Sequence, residues 1–295
     1  MYEVTFELLS PLHIGERKLG NLQKTRYYVP GRTLWGALTA RIARDYENFD
    51  YKKAGEKVDE FLRFSYFFPS NDTEKVTLFP WENPDEFEWK YIQSYVTTAL
   101  DPKVRKAEYG SLHETEYIAP KTREDEKVYL IGYIFERDDC DLNWKEALSK
   151  ILLGGERTYG WGRIGKLQIG CKKTNQLDHF MHGKASSTEP TGSDKYIYEV
   201  ELSNETPVIR VHESCPVVAH VLVDDQINND AKNGNIEPLI GLETNIENGS
   251  FGSKISAAKI CWTPGTMFKK TYSFLICPKG FWKFKKSNLF KADCM

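Results

Sequence analysis

Long hydrophobic runs, paired cysteines and a strong excess of charge are all missing from this 295-residue chain. No apolar run approaches the ~18 residues that cross a bilayer, so we expect no transmembrane helix and no membrane partner. The six cysteines are scattered without a C-x-x-C pair, which argues against a zinc site and a disulfide framework. The formal net charge is only −2, so any site for a polyanion must come from local clustering of cations.

A secretory signal is also missing, because the first residues alternate polar and apolar instead of running from basic to apolar. We therefore expect a cytoplasmic protein whose thiols stay reduced. Hydrophobic residues make up 40% of the chain and charged residues 28%, which is typical of a globular protein with a buried core. The length suits two domains or one large domain.

Hydrophobic periodicity predicts the elements of the first 170 residues. We expect strands over 2–8, 75–81, 127–135 and 164–169, helices over 32–46 and 56–67, a hairpin or insertion between Val96 and Ile118, and a helix that Asn143 caps and Gly154 stops. This order resembles a split β-α-β sheet with helices on one face, and the apolar run over 127–135 fits a central strand.

The second half of the chain shows a weak echo of the first. A polar stretch over 174–194 predicts a linker. After it, Tyr198-Glu-Val-Glu-Leu echoes Tyr2-Glu-Val-Thr-Phe, and Gly241-Leu-Glu-Thr echoes Gly155-Glu-Arg-Thr. The shared order of these echoes favours an internal repeat. We therefore predict a first domain over 1–173 and a second, degenerate domain over 195–295.

One stretch, Gly154 to Leu167, combines five glycines with aromatic and basic side chains. It is not a Walker loop, since no Gly-Lys-Ser/Thr closes it, and it follows a helix where a dinucleotide fingerprint must precede one. Two interpretations stay open: an ordinary loop with a glycine C-cap, or a ligand site where aromatics stack on bases and cations meet phosphates. The side chains that carry the second interpretation are Arg157, Tyr159, Trp161, Arg163 and Lys166.

Two further stretches are locally basic. Between His13 and Arg44 there are seven Lys/Arg residues against one acid, Glu16. From Phe268 to Lys291 there are seven lysines, no acid and several interleaved aromatics. This tail fits either a groove for single-stranded RNA or DNA, or an antiparallel hairpin with a buried aromatic face and a solvated lysine face.

Four stretches together resemble the RAMP superfamily of CRISPR-associated proteins, the RNA-binding subunits of class 1 effector complexes. They are Ser10–Gly15, Val29–Leu38, Ala107–Glu116 and Gly154–Ile164. The second is similar to the family's entry to the first helix, the third to its thumb hairpin and the fourth to its glycine-rich loop. Weaker support comes from Cys261–Phe268, which is similar to a late segment of the two-domain members that cap the crRNA at its 5′ tag.

The resemblance implies an α+β protein of tandem ferredoxin-like (RRM-type) domains with an inserted thumb hairpin and a glycine-rich loop; the second domain, over 195–295, is either a degenerate ferredoxin-like unit or mainly β. It implies a crRNA-binding subunit of a type III-like interference complex, with crRNA, target RNA, backbone subunits and a large subunit as partners and no cofactor. The side chains predicted to contact RNA are Arg26, Arg32, Lys103, Arg105, Lys106, Arg157, Tyr159, Trp161, Arg163 and Lys166.

The resemblance also frames the question of catalysis. Type III backbone subunits cut target RNA with an aspartate in the loop after the first strand, and residues 13–33 contain no aspartate. Glu16 could stand in, but beside Arg17 and Lys18 a plain ion pair is the simpler role. We therefore predict a non-catalytic subunit. The alternatives are a crRNA-processing endoribonuclease with His13, or His113, as general acid or base, and a protein scaffold without RNA contact.

A metal site is not expected. His179 and His182 are closely spaced, but no matching cysteine or acidic cluster accompanies them in the sequence. We expect these histidines to lie on the surface of the linker.

Overall fold

The computed structural model of the protein describes residues 1–101, 103–171, 175–180, 198–202, 206–243 and 253–286. The elements of the first half, in chain order, are β1 (Tyr2–Leu8), β2 (Gly15–Leu19), β3 (Leu22–Thr25), α1 (Gly31–Tyr46), α2 (Tyr51–Phe61), β4 (Leu62–Phe64), β5 (Phe68–Ser70), α3 (Pro84–Tyr91), β6 (Ile92–Thr97), β7 (Leu100–Asp101), β8 (Lys106–Ala107), β9 (His113–Ile118), β10 (Tyr129–Glu136), α4 (Trp144–Leu148) and β11 (Ile164–Cys171).

The first sheet is antiparallel and has the order β11-β1-β10-β4, with β5 also pairing with β10. β1 lies between β10 and β11, in register from Tyr2↔Ile134 to Glu7↔Tyr129 on one side. β4 and β5 pair with successive parts of β10. With these two taken as one interrupted strand, and α1 and α2 as one helical layer, the elements follow one another as β-α-β-β-α-β, the order of a split β-α-β unit.

Side-chain alternation explains why the first sheet is buried on both faces. Val4, Phe6 and Leu8 of β1 face the helices, where they join a core with Leu34 and Leu38 of α1. On β10, Ile131, Tyr133 and Phe135 face the opposite way and belong to a second core. The prediction of a central strand over 127–135 is confirmed.

Several predicted boundaries are wrong, and local capping explains some of the differences. The second helix begins at Tyr51, five residues earlier than predicted, since the Asp50 side chain accepts a hydrogen bond from Lys53 N. It ends where β4 begins, at Leu62. No strand forms over 75–81, and a helix that the sequence did not indicate, α3, starts after the cap residue Asn83. Helix α4 ends at Leu148, well before Gly154.

A small sheet of order β2-β3-β9-β6 carries the predicted hairpin insertion. β6 pairs with β9 from Ile92↔Ile118 to Thr97↔His113, and the short strands β7 and β8 extend the same hairpin to its tip. The hairpin over Val96–Ile118 is therefore confirmed, and we call residues 92–118 the thumb.

The described part of the second half contains strands and no α-helix. Its strands are β12 (Tyr198–Glu201), β13 (Val208–Val211), β14 (Val221–Leu222), β15 (Ala231–Asn233), β16 (Ile236–Leu239), β17 (Leu242–Glu243), β18 (Lys254–Ile255), β19 (Lys259–Trp262), β20 (Met267–Phe268), β21 (Tyr272–Ile276) and β22 (Trp282–Phe284). Seven of them form a sheet of order β12-β13-β21-β22-β14-β19-β16, and the whole protein is of the mixed α+β class.

The two halves share a core. Ile131, Tyr133 and Phe135 of the first sheet pack in one cluster with residues of the second half such as Ile209 and Trp282. No helix in the described residues is long and apolar enough to span a bilayer.

Most of the predicted linker, 174–194, lies outside the described residues, and so does His182. Within 175–180, Leu177 and Phe180 are buried in the shared core. His179 is also buried, next to Glu3, with a ring nitrogen hydrogen-bonded to the Glu74 carbonyl. The expectation that His179 lies on the linker surface is wrong, because this segment packs against the open face of the first sheet.

The basic tail follows the second of its two interpretations as far as it is described. β21 and β22 form an antiparallel hairpin, Phe274 and Trp282 are buried and their rings stack at 5.8 Å. Lysines of the same hairpin are exposed or half-exposed, among them Lys283 and Lys285. The aromatics of this hairpin therefore fill the core and do not line an open groove.

Candidate nucleic-acid interface

The glycine-rich loop is shaped by close contact with the chain itself. Gly154 and Gly162 have φ values of +72° and +74°. A Cβ at Gly154 would lie 2.3 Å from the His13 carbonyl oxygen, and one at Gly162 would lie 1.8 Å from the Leu153 carbonyl oxygen. Both positions therefore require glycine. The close approach that the glycines permit is to the protein backbone.

The segment Ser10–Ile14, which we call the bridge segment, is the partner of this loop. Three hydrogen bonds fasten the loop to it: Gly155 N–H to His13 O (2.9 Å), Gly162 N–H to Pro11 O (2.8 Å) and Arg163 N–H to Ser10 Oγ (2.9 Å). The loop backbone is thus fixed, while its side chains project outward.

Arg157, Tyr159 and Arg163 are exposed on this fixed loop. Tyr159 has 78% of its surface open to solvent, and neither arginine forms an ion pair with any described residue. Trp161 is half-buried and packs edge-on against Tyr117 of β9, with 5.1 Å between ring centroids. The loop therefore offers free guanidinium groups and one free aromatic ring, while its second aromatic anchors it to the base of the thumb.

Lys166 lies at a β-bulge between β1 and β11, with φ at +39°. Its ammonium group is 3.7 Å from Oε2 of Glu7. The other carboxylate oxygen of Glu7, Oε1, is 2.7 Å from the ammonium group of Lys127. The hydrogen bond from Lys127 is the main cause that lowers the pKa of Glu7. Lys166 is exposed, but Glu7 partly compensates its positive charge, whereas no described carboxylate pairs with the two loop arginines.

Lys103, Arg105 and Lys106 lie at the thumb tip, between β7 and β8 or at the start of β8. The Asp101 side chain accepts hydrogen bonds from Lys103 N (2.8 Å) and Val104 N (3.4 Å), which shapes the turn. The three cations are exposed, and none forms an ion pair within the part of the chain that the structure describes.

Arg26 and Arg32 face the second half of the protein. Arg26 Nη1 donates to Glu237 at 2.7 Å. Arg32 donates to Ser256 Oγ at 3.2 Å and to a Glu243 oxygen at 3.4 Å. Only 14% and 16% of the two arginine side chains remain exposed, and burial lowers the pKa of Arg32. The structure places both residues at the contact between the halves, away from the open cations of the loop and thumb.

The two candidate catalytic histidines are engaged in hydrogen bonds. His13 is 7% exposed, and its Nδ1 lies 2.7 Å from the Glu116 carbonyl oxygen. His113 bonds Thr97 Oγ1 through Nε2 (2.8 Å) and the Ser111 carbonyl through Nδ1 (2.9 Å). Both ring nitrogens of His113 thus hold the thumb hairpin together.

Exposed apolar side chains on the thumb were not singled out from the sequence. Tyr109 is fully exposed, and Leu100, Val104 and Leu112 are more than half exposed. Tyr109 lies inside the stretch Ala107–Glu116 that carries the thumb resemblance, so the signal was present in the sequence. Together with the thumb cations, it provides a stacking surface beside positive charge.

The described residues contain no group of three or more His, Cys, Asp or Glu side chains that could hold a metal ion. Their cysteines form no disulfide. Burial raises the pKa of the Cys261 thiol to about 12, which makes it a poor nucleophile.

The sequence matches the family described as the RAMP superfamily over residues 5–165, more than half of the chain. The chain belongs to the RAMP superfamily, and the resemblance seen in the four motifs is confirmed. No protein among the curated sequences matches it.

Among solved structures, the fold is similar to a chain of the type III-B Cmr-β complex bound to cognate target RNA and AMPPnP. The TM-score is 0.51 at 15% identity, over 90% of this chain and 86% of that chain. A chain of the Csm3–Csm4 subcomplex of the type III-A CRISPR-Cas interference complex also matches, with a TM-score of 0.43 at 13% identity and coverage of 92% of each chain. The first likeness shows a shared fold.

Proposed function

We propose that this protein is a non-catalytic crRNA-binding subunit of a type III-like CRISPR interference complex, of the two-domain kind that caps the crRNA at its 5′ tag. The observation that carries the proposal is the presence of exposed cations without ion-pair partners at two places, the glycine-rich loop and the thumb tip. An exposed tyrosine accompanies the cations at each place. The cations are Lys103, Arg105, Lys106, Arg157 and Arg163, and the tyrosines are Tyr109 and Tyr159.

This combination suits single-stranded RNA. Guanidinium groups bind phosphate oxygens through paired hydrogen bonds, and a tyrosine ring stacks on any base. The loop and the thumb base also touch, through the contact of Trp161 with Tyr117, so one strand could follow both.

The open face of an RRM-type sheet is not available for RNA in this protein. RRM domains stack bases on aromatic side chains of that face. Here Ile131, Tyr133 and Phe135 of the corresponding face are buried against the second half. We therefore place the guide strand along the loop and the thumb. Target RNA would be reached through the guide, and backbone and large subunits would be protein partners. On this proposal the second half is a degenerate ferredoxin-like or mainly β unit that covers the first sheet.

Removal of two free loop charges tests the proposal. In the Arg157→Ala/Arg163→Ala variant, we expect weaker binding of a guide-like single-stranded RNA at 0.15–0.3 M salt. The slope of log K against log salt should flatten by about 1.4, at ~0.7 per lost phosphate contact on a single strand. Fluorescence anisotropy across a salt series measures both quantities.

A matched control removes two exposed charges from other elements, Lys52 on α2 and Arg210 on β13, each 57% exposed. The Lys52→Ala/Arg210→Ala variant should keep the wild-type affinity and salt slope. Equal RNA retention by the loop variant and the control would contradict the proposal. Purified protein free of nucleic acid, with no raised 260/280 absorbance ratio, would favour a scaffold that does not touch RNA.

Our proposal of a non-catalytic subunit rests on the placement of the histidines. His13 is buried with Nδ1 on a backbone carbonyl, and both nitrogens of His113 are bonded within the thumb. Incubation with repeat RNA, with and without His13→Ala, tests this. Metal-independent cutting by the wild type that the variant loses would establish the processing endoribonuclease instead.

A further inference from the structure

The bridge segment Ser10–Ile14 lies between the glycine-rich loop and the thumb. On the loop side it accepts the hydrogen bonds described above. On the thumb side, Leu12 and Ile118 exchange two backbone hydrogen bonds, Leu12 N–H to Ile118 O at 3.0 Å and Ile118 N–H to Leu12 O at 2.9 Å. Both parts of the candidate RNA surface are therefore attached to the same five residues.

His13 supplies a side-chain connection within this segment. A carbonyl oxygen only accepts hydrogen bonds, so the 2.7 Å contact requires that His13 Nδ1 carries a proton and donates it to Glu116 O. The backbone carbonyl of the same residue accepts from Gly155 N at 2.9 Å. His13 thus holds β9 with its side chain and the glycine-rich loop with its main chain.

The imidazole ring lies beside two glycines. A Cβ at Gly155 would lie 3.4 Å from His13 Cδ2, and one at Gly15 would lie 3.7 Å from Nε2. Two glycines therefore border the ring, one from the glycine-rich loop and one from the start of β2. His13 is only 7% exposed, so water competes poorly for its bond to Glu116.

Glu116 extends the connection to β3. Its carboxylate accepts a hydrogen bond from Thr25 N at 3.3 Å and lies 3.4 Å from the ammonium group of Lys24. The residue whose carbonyl holds His13 therefore also joins β9 to the β2–β3 hairpin. Glu116 thus contacts His13 through its main chain and β3 through its side chain.

We infer that His13 is a positioning residue, which holds the thumb and the glycine-rich loop in a fixed relation so that their cations act as one RNA-binding surface. This inference rests on the proposed function. It gives His13 a role without proton transfer to substrate, in contrast to the endoribonuclease alternative.

The bond geometry supplies a matched pair of variants. The amide nitrogen of asparagine lies near the position of Nδ1, whereas the amide nitrogen of glutamine reaches toward the position of Nε2. His13→Asn should therefore keep the bond to Glu116 O, and His13→Gln should lose it with a similar polar side chain. A role in space-filling alone predicts that glutamine, the larger amide, does better.

Hydrogen exchange followed by mass spectrometry tests the connection directly. In His13→Gln, we expect amides of β6 and β9 to exchange about fivefold faster, as for the loss of one hydrogen bond, while amides of β10 keep their protection. In His13→Asn, β6 and β9 should exchange as in the wild type. Affinity for the guide-like RNA should fall about fivefold in His13→Gln and by less than about twofold in His13→Asn.

The inference is overturned by equal behaviour of the two variants, or by faster exchange that spreads evenly over β10 as well as the thumb. Failure of the proposed function is distinguishable, because a wild-type protein that binds no RNA can still show the exchange pattern. Exchange confined to the thumb with unchanged RNA affinity would likewise reject the inferred role in RNA binding, while Arg157→Ala/Arg163→Ala tests the RNA surface itself.

Discussion

Arg26 and Glu237, 211 positions apart in the sequence, meet in a hydrogen-bonded ion pair of 2.7 Å at the contact between the two halves. The same carboxylate oxygen of Glu237 also accepts from His220 Nε2, and the hydroxyl of Tyr66 is 2.6 Å from His220 Nδ1. His220 and Tyr66 are buried. Because the Nε2–H donates to a carboxylate, His220 in its neutral form uses Nδ1 to accept from Tyr66. The halves are joined by a chain of polar groups that all have partners.

Glu237→Gln should lower the free energy of unfolding by about 2–4 kcal/mol. The substitution removes the charge that compensates Arg26, and an arginine that stays mostly buried without its counter-charge is costly. Urea unfolding at pH 7 measures the loss. Glu201→Gln is the control, because Glu201 pairs with Lys285 at 3.5 Å on an exposed surface, where a pair contributes at most about 1 kcal/mol. Equal losses in both variants would contradict the structural role of the Arg26–Glu237 pair.

Arg26→Ala separates the structural role from the RNA contact that the sequence predicted. Because the guanidinium group is held by Glu237, we expect a lower unfolding free energy and an unchanged salt slope for RNA binding. A slope that flattens by about 0.7 would show that Arg26 contacts a phosphate after all. The measurement is the same anisotropy series as for the loop variant, at a temperature where the variant is folded.

The free energy of unfolding should fall as the pH is lowered, and the fall should be smaller in Glu237→Gln than in the wild type. Burial alone raises the pKa of Glu237, but the hydrogen bond from His220 and the charge of Arg26 outweigh it and hold this pKa at about 2. A group with a depressed pKa stabilises the fold above its unfolded value, ~4.3, and this contribution is lost as the pH falls toward 2. The stability difference between wild type and variant should therefore shrink from pH 7 to pH 3. A constant difference in urea unfolding would contradict the lowered pKa of Glu237.

His220 causes a second loss of stability, which begins at a higher pH than the loss from Glu237 and is still present in Glu237→Gln. Burial is the main cause that lowers the pKa of His220 below its usual range. The unfolded chain then binds a proton that the folded chain does not, so stability falls as the pH drops below ~6.5. In Glu237→Gln, the loss between pH 7 and pH 5 should persist while the loss below pH 4.5 is reduced. His220→Phe would remove the loss between pH 7 and pH 5. The groups that face this site are Tyr66, Tyr28, Glu237 and Arg26.

Local periodicity was enough to predict β1 and β10 of the first sheet, whereas β4 lay inside a predicted helix and β5 was not predicted. The alternation of Val4, Phe6 and Leu8 and the apolar run of β10 lie within single elements, so β1 and β10 were predicted within two residues. The helix α3 was not predicted, because only Phe87 and Tyr91 of its eight residues are buried and the sequence therefore shows no apolar stripe.

The candidate site was only partly predictable for a related reason. Arg157 and Arg163 are exposed beside a loop whose glycines mark it in the sequence, so a local signal pointed to them. Arg26 and Arg32 each pair with a glutamate 211 residues away, and a basic side chain gives no local sign of such a partner. The hydrogen bond of His13 to the Glu116 carbonyl, 103 residues away, cannot be inferred from the sequence around it. The sequence therefore suggested only the role of a general acid or base for this residue.

Gly162→Ala and Gly160→Ala form a matched pair for the geometry of the glycine-rich loop. Both residues have positive φ, +74° and +82°, but a Cβ at Gly160 meets nothing within 4 Å, whereas one at Gly162 lies 1.8 Å from Leu153 O. We expect Gly160→Ala to cost about 1–2 kcal/mol from backbone strain alone. Gly162→Ala adds a clash with fixed backbone and should cost at least about 3 kcal/mol.

Thermal and urea unfolding measure the two costs, and RNA binding gives a second comparison. Gly160→Ala should retain the wild-type affinity, because Gly160 contributes no side chain and its neighbours Arg157 and Arg163 stay in place. Similar destabilisation in the two variants would contradict the close approach of Gly162 to the Leu153 carbonyl oxygen.

Tyr109 at the thumb provides the most selective test of base stacking. Its side chain is fully exposed and has no partner in the described residues, so Tyr109→Ala should change the unfolding free energy by no more than about 0.5 kcal/mol. Stacking of one base on an aromatic ring contributes ~1–3 kcal/mol, so affinity for the guide-like RNA should fall at least about fivefold. Tyr109→Phe keeps the ring and should bind as the wild type does. Trp89→Ala, which removes a half-exposed aromatic ring from α3, is the control and should leave RNA affinity unchanged. If Tyr109→Ala and Trp89→Ala bind equally well in anisotropy, the thumb tip does not stack on the guide, and the RNA path must be confined to the glycine-rich loop.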